Sequence, residues 1–197
     1  MPNWVYNTLT VEGNPTMVEL LEQRVGKSFT TAVENMDMGD VLGGGGFPMK
    51  VGQVTYTNPV FAFHNIYSYK DAGITDEEYA KQPIASDLDS SDPKWWADTE
   101  RLRLTDKSWY SWNITNWGVK WDVAVADDNI YPDTALVDKS PNGDNLVLVY
   151  RFMTPWGIAD EALIKLSKQF PTLLLTLSYE EETGWGGERE YLRGNVF

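Results

Sequence analysis

The chain has no cysteine, a single histidine and few basic residues, and each shortage removes a class of function. Without cysteine there are no disulfides, no thiolate nucleophile and no iron–sulfur or cysteine-ligated zinc site. With His64 as the sole histidine, one chain cannot build a His-pair metal site, an H-E-x-x-H helix or a Cys–His dyad. His64 therefore reads as a structural or bystander residue. Sixteen Lys and Arg stand against 29 Asp and Glu, a formal charge of −13. That field repels phosphate backbones and anionic lipid heads, so direct nucleic-acid or membrane-surface binding is not expected. The same field attracts basic protein surfaces. No apolar run approaches the roughly 20 residues that span a bilayer, and the opening Met1-Pro2-Asn3-Trp4 lacks the basic-then-apolar pattern of an export signal. A soluble, cytoplasmic protein is the expectation.

What is present is a dense aromatic run. Residues 109–122 hold four of the nine tryptophans together with Asn113 and Asn116. Tryptophan has a large apolar body and an N–H that needs a partner, so this run is either the centre of a core or a surface built to hold something. The recurrence of Trp109, Trp112, Asn113 and Asn116 at three- and four-residue spacing predicts a helix from about Asp106 that ends at Gly118. The period then changes to two, which predicts a strand over 119–126 with Val119, Trp121, Val123 and Val125 facing one way.

At 197 residues and 42% hydrophobic content the chain is long enough for one domain with a sizeable core. Residues 4–12 alternate as a strand, with Asn7 as an unexplained polar member of the row Val5, Leu9, Val11. Asn14-Pro15 opens a helix that runs to about Val25 and stops at Gly26. Residues 27–107 break this pattern and read as an insertion. Within it, Gly43 to Gly46 form a connector, Val51 to Tyr69 includes an aromatic strand, and Thr75 with Glu78 resembles a capping box. Asp71 to Glu100 carries nine acidic residues and two lysines, with Asp76, Glu77, Glu78, Asp87, Asp89 and Asp92 as candidate members of an acidic surface. Asp87-x-Asp89-x-x-Asp92 lacks the Gly and Glu of a calcium loop, and the four-glycine run lacks the Lys of a phosphate loop. No metal or other cofactor is implied.

Towards the C-terminus, Asn145 to Phe152 is an apolar strand that can pair with residues 119–126 across a long hairpin, Thr154-Pro155 opens an amphipathic helix that Pro171 stops, and residues 172–181 alternate as a strand. The glycines around Trp185 fold Glu188 to Arg193 back as an extra edge strand. The order β-α-insertion-β-β-α-β is that of an α+β ferredoxin-like plait.

Several stretches resemble one family: Met1-Pro2-Asn3-Trp4-x-x-Asn7-x-Leu9-x-Val11-x-Gly13, Phe63-His64-Asn65-Ile66-Tyr67, Asn116-Trp117-Gly118-x-Lys120-Trp121-Asp122, and Phe170-Pro171-x-Leu173-x-x-x-Leu177-x-Tyr179-x-Glu181. Together they are similar to the YubB, or Api-ninety-two-like, family of phage and plasmid proteins. The family carries Trp-Ser-Pro-Pro where this chain has Pro155-Trp156-Gly157-Ile158. The resemblance implies a ferredoxin-like domain on a mobile genetic element inside a bacterial host. It implies no established activity.

Two functional classes follow. In the first, a non-enzymatic accessory protein uses its acidic surface to engage and block a basic host protein, with nucleic-acid mimicry in counter-defence as the sharpest version. In the second, Trp109, Trp112, Asn113, Asn116, Trp117, Lys120, Asp122 and Asn7 hold a planar ligand such as a nucleotide or signalling molecule, or else simply fill a core. A hydrolase using Asp122, Glu180 and Glu181 ranks last, because no spacing specifies one. Pairing of sheet edges is compatible with a homodimer.

Overall fold

The computed structural model describes residues 3–35, 50–81, 97, 105–125 and 133–197. The chain divides into two compact units, one made of residues 1–29, 56–68 and 116–197 and the other of residues 30–55 and 69–115. Residues 56–68, inside the stretch read as an insertion, thus group with the first unit.

The first unit is built on a six-stranded antiparallel sheet. Its strands are β1 (Trp4–Gly13), β4 (Ala135–Asn142), β5 (Asn145–Pro155), β6 (Leu174–Glu181), β7 (Gly186–Leu192) and β8 (Asn195–Val196), in the spatial order β4-β5-β1-β6-β7-β8. Its helices are α1 (Pro15–Val25) and α4 (Asp160–Gln169). The Asn14 side chain accepts from the Thr16 N–H, and Pro15 occupies the first turn, as the sequence predicts.

Alternation along β1 sets two faces. Val5, Asn7, Leu9 and Val11 are buried, and register places Asn7 beside Phe152 and Tyr179, Leu9 beside Tyr150 and Leu177, and Val11 beside Leu148 and Leu175. Val18, Leu21 and Val25 of α1 and Ala162, Leu163 and Leu166 of α4 are the apolar stripes buried in the same core. Phe61 lies 5.1 Å from the Tyr150 ring and 5.6 Å from that of Phe152, which adds the segment 59–68 to this layer.

The second unit contains a two-stranded sheet of β2 (Phe29–Asn35) and β3 (Lys50–Tyr56) apart from their end residues Phe29 and Tyr56, the short helix α2 (Asp76–Tyr79) and the first seven residues of α3 (Trp109–Trp117). The Thr75–Glu78 capping box forms in both directions. Tyr69 and Tyr79 stack at 3.9 Å, with Trp112 edge-on to both.

The structure corrects three sequence expectations. Residues 119–125 form no strand, because the N–H groups of Val123 and Ala124 go to the Asp122 carboxylate instead of to a ladder. The hairpin partner of β5 is β4, which begins nine residues later than the expected strand ends and turns at Gly143-Asp144. Thr154-Pro155 does not open a helix but ends β5, and α4 starts at Asp160. The Thr154 hydroxyl accepts from Asn7 and donates to the Gly157 carbonyl, so it is used before a helix can be capped.

Candidate functional site

The helix α3 places its aromatic residues in cores. Trp112 and Asn113 are buried, and the Asn113 Oδ1 accepts from the Tyr79 hydroxyl at 2.8 Å within the second unit. Asp106 organises the approach to the helix by accepting from the Ser108 N–H and from the Ser108 and Ser111 hydroxyls. Trp109 is half-buried near the start of the helix, 5.7 Å from Tyr110. In the first unit, buried Trp117 donates its indole N–H to the Tyr67 carbonyl at 2.8 Å and lies 6.0 Å from Phe63. The Asn116 carbonyl, one of the last of the helix, accepts from Lys165 Nζ at 2.8 Å. A cation is favoured at that terminus. Gly118 then leaves the helix with φ +84, where a Cβ would come 3.1 Å from the Ile158 carbonyl oxygen. Glycine is required at that position both by backbone and by space.

Asp122 is a staple. Its Oδ1 accepts from the N–H groups of Phe63, Val123 and Ala124 and its Oδ2 from that of His64. Burial pushes this carboxyl above the ordinary aspartate range, while the four donors pull it down. His64 stacks on Phe29 at 4.2 Å, a structural use. Asn7 is explained as well. Its Nδ2 donates to the carbonyls of Val5 and Phe152 and to Thr154 Oγ1, which ties β1 to the end of β5. Of the three consecutive glutamates, Glu181 is buried and accepts from the Thr183 N–H and hydroxyl, which holds its carboxyl below the usual range. Glu180 and Glu182 are exposed.

In the second unit, Asp76 accepts from the Tyr69 hydroxyl at 2.7 Å and from Gln53, and Glu78 pairs with Lys107 at 3.0 Å. Glu77 is exposed. Asp87, Asp89 and Asp92 lie outside the described residues.

The residues named from the sequence are thus divided between the two units, with Trp109, Trp112 and Asn113 in one and Asn7, Asn116, Trp117, Lys120 and Asp122 in the other. The first unit also contains a surface that the sequence did not single out. One end of its sheet, on the side opposite the helices, gathers exposed aromatics. Tyr6 is 51% exposed, Trp121 39% and Trp156 53%, whereas Trp185, 45% exposed, has its ring 5.8 Å from Tyr179 of the helix-side row. Trp121 stands 6.2 Å from half-buried Trp4 and 6.0 Å from Trp156, and Lys120 Nζ lies 4.8 Å and 5.4 Å from the Trp121 and Trp156 rings. Trp156 sits at φ +61, in the left-handed region that side chains rarely adopt, and its N–H bonds to the Asn3 carbonyl. The Trp185 carbonyl accepts from the Glu181 N–H, which fixes the β6–β7 turn at the same end.

From Tyr6 the open face continues in rows set by register. Met153, Tyr6, Glu180 and Gly186 form one row, Arg151, Thr8, Ser178 and Glu188 the next, and Val149, Thr10, Thr176 and Glu190 the third. Tyr6, Thr8, Ser178, Glu180 and Glu188 help to line an open groove of about 740 Å³. Period-two alternation marks these positions as the face opposite Val5 and Leu9. Among them Tyr6, Arg151, Ser178, Glu180, Glu188 and Glu190 are exposed, which no local pattern encodes.

Residues 139–197 match the family model described as the ferredoxin-like domain in Api92-like protein. The matched segment starts inside β4 and runs through β8, so a ferredoxin-like domain makes up the C-terminal part of this mixed α+β chain. No curated protein matches the chain. The crystal structure of a protein api92 from Yersinia pseudotuberculosis aligns over 100% of this chain and 98% of that one, at 12% sequence identity and a TM-score of 0.47. Among the described residues, no helix is long and apolar enough to cross a membrane.

Proposed function

We propose that this chain acts by binding: it is an accessory protein of a phage or plasmid that occupies a basic surface of a host defence protein in the bacterial cytoplasm and blocks it. The observation that carries this reading is the gathering of Tyr6, Trp121 and Trp156 in solvent at one end of the open sheet face, where Tyr6 shares a row with Glu180. Tryptophan and tyrosine dominate the energetics of protein interfaces, whereas large exposed apolar patches are disfavoured on isolated proteins. Trp156 adds a second cost, because its left-handed backbone is of order 1 kcal/mol unfavourable for a residue with a Cβ. The formal charge of −13 supplies long-range attraction to a basic partner and makes nucleic-acid mimicry the specific form of the proposal.

In this reading the fold is a plait of β1, α1, β4, β5, α4 and β6, with β7 and β8 added at one edge and the acidic segment inserted after α1. The polar groups best placed for chemistry have structural duties. Asp122 and Asn7 each hold several backbone groups, and Trp112 and Asn113 are engaged with Tyr79, so a planar ligand at α3 would have to displace core contacts.

Native mass spectrometry of the untagged protein, purified gently from bacterial cells, tests the proposal. A co-purifying protein is expected that dissociates as salt rises to physiological strength and above, and that is lost from the Tyr6→Ala and Trp156→Gly variants. A partner retained equally by both variants and at high salt would contradict the proposed surface. A small added mass on the protein would instead favour the ligand-binding alternative.

A further inference from the structure

The open sheet face also indicates which chemical group of the partner it receives. Glu180 and Glu188 are diagonal neighbours on β6 and β7, and their directly opposite residues, Gly186 and Ser178, are neutral. Among the described residues no ion pair engages Glu180, Glu188 or Glu190, and all three are exposed. Arg151, a cation on the same face, lies in the row of Glu188 but three strands away, about 14 Å at the usual strand spacing. It is too far to pair directly with Glu188. Tyr6 stands in the row of Glu180 and is itself exposed.

The groove between these side chains, about 740 Å³, lies in the range that accommodates a ligand of several residues or a drug-sized molecule. At the turn end of its wall, a Cβ on Gly186 would come within 2.5 Å of the Tyr179 carbonyl oxygen. The two strands close there without a side chain, and the groove stays open.

We propose that this groove seats an arginine side chain from an extended basic segment of the partner protein. The inference rests on the basic-partner reading above and adds the seat and the residue. The open face and a guanidinium are complementary in charge and in geometry. A guanidinium is planar, stacks on an aromatic face and offers paired donors to carboxylates, whereas an ammonium is a strongly hydrated point charge. Tyr6 supplies the aromatic face, Glu180 and Glu188 supply the acceptors, and Thr8 and Ser178 supply further polar contacts along the floor. Glu190, the next residue on the same face of β7, offers a carboxylate to the next basic side chain of an extended segment.

The test is a fluorescence-anisotropy titration of the full chain against fluorescein-labelled hexa-arginine, with labelled hexa-lysine as comparison, at low and physiological salt. Hexa-arginine is expected to bind more tightly than hexa-lysine. The Glu180→Gln/Glu188→Gln double variant, checked for unchanged circular dichroism and melting, should bind hexa-arginine roughly tenfold more weakly, and Tyr6→Ala should abolish the preference for arginine over lysine. Equal binding of hexa-arginine by the double variant and the wild type would overturn the groove while leaving the basic-partner reading intact. Equal affinity for the two peptides in the wild type would overturn the choice of arginine. If neither peptide binds even at low salt, the basic-partner reading fails and this inference fails with it.

Discussion

The two faces of the β4-β5-β1-β6-β7-β8 sheet use the same residue types for opposite purposes. On the helix side, polar groups such as Asn7, Thr154 and Glu181 are buried and hydrogen-bonded, with Asn7 donating to the Val5 and Phe152 carbonyls and Glu181 accepting from the Thr183 N–H, and aromatics such as Tyr150, Phe152 and Tyr191 are enclosed. On the open side, Tyr6, Thr8, Ser178, Glu180 and Glu188 alternate with those residues in the same strands and meet a groove. Glu180 and Glu181 make the contrast sharpest, since adjacent glutamates point to opposite faces and only one has its carboxylate tied down. Residue type therefore says little about role here. The layer a side chain belongs to says most of it.

The comparison predicts a graded set of outcomes. The largest is on the enclosed side, where Trp117→Ala removes a buried indole and its bond to the Tyr67 carbonyl and should cost about 3–5 kcal/mol in urea unfolding. Asp122→Ala comes next, at roughly 2–4 kcal/mol, because four backbone N–H groups lose their acceptor. Asp122 also has a pH signature. Burial raises its folded-state pKa, so its ionisation opposes folding, and stability should decline as pH rises from the ordinary aspartate range through that raised value. Asp122→Asn should flatten this part of the curve in thermal melts.

Glu181 predicts the opposite sign. The Thr183 hydroxyl and N–H depress its pKa, so the stability it contributes is present above the ordinary glutamate value and is lost as pH falls through the depressed one. Glu181→Gln should reduce the acid sensitivity of melting. The smallest effects on stability belong to the open face, where Glu180→Gln and Glu188→Gln should each change stability by less than about 0.5 kcal/mol. Trp156→Gly should stay within about 1 kcal/mol, because the lost contacts are offset by relief of the left-handed backbone. A large loss from any of these three would show that the open face is structural.

Much of the scaffold was legible in the sequence. The period of two in residues 4–12, the Asn14-Pro15 cap and the alternation of residues 172–181 are local signals, and each has its element in the structure, the last as Leu174–Glu181. The misplaced strand at 119–126 failed for a physical reason, since alternation of Val119, Trp121 and Val123 is indistinguishable from a strand until the Asp122 side chain takes the backbone N–H groups. β4 was missed because Leu136, Asp138, Lys139, Ser140 and Pro141 show little apolar alternation, and a half-exposed edge strand needs little. The density of tryptophan drew attention to α3, yet Trp112 and Trp117 are core. The exposed tryptophans Trp121 and Trp156 lie in separate parts of the chain and meet beside Trp4 where β1 pairs with the end of β5.

On the proposed reading the open face binds and the helix-side face does not. Methyl-resolved NMR of the full chain during titration with hexa-arginine tests it most directly. The methyl signals of Thr8, Thr10 and Thr176 on the open face should shift in a saturable way while those of Leu9, Leu175 and Leu177, in the same strands but facing the helices, stay in place. Unchanged Thr8 and Thr176 signals at saturation, with shifts confined to other parts of the molecule, would contradict it.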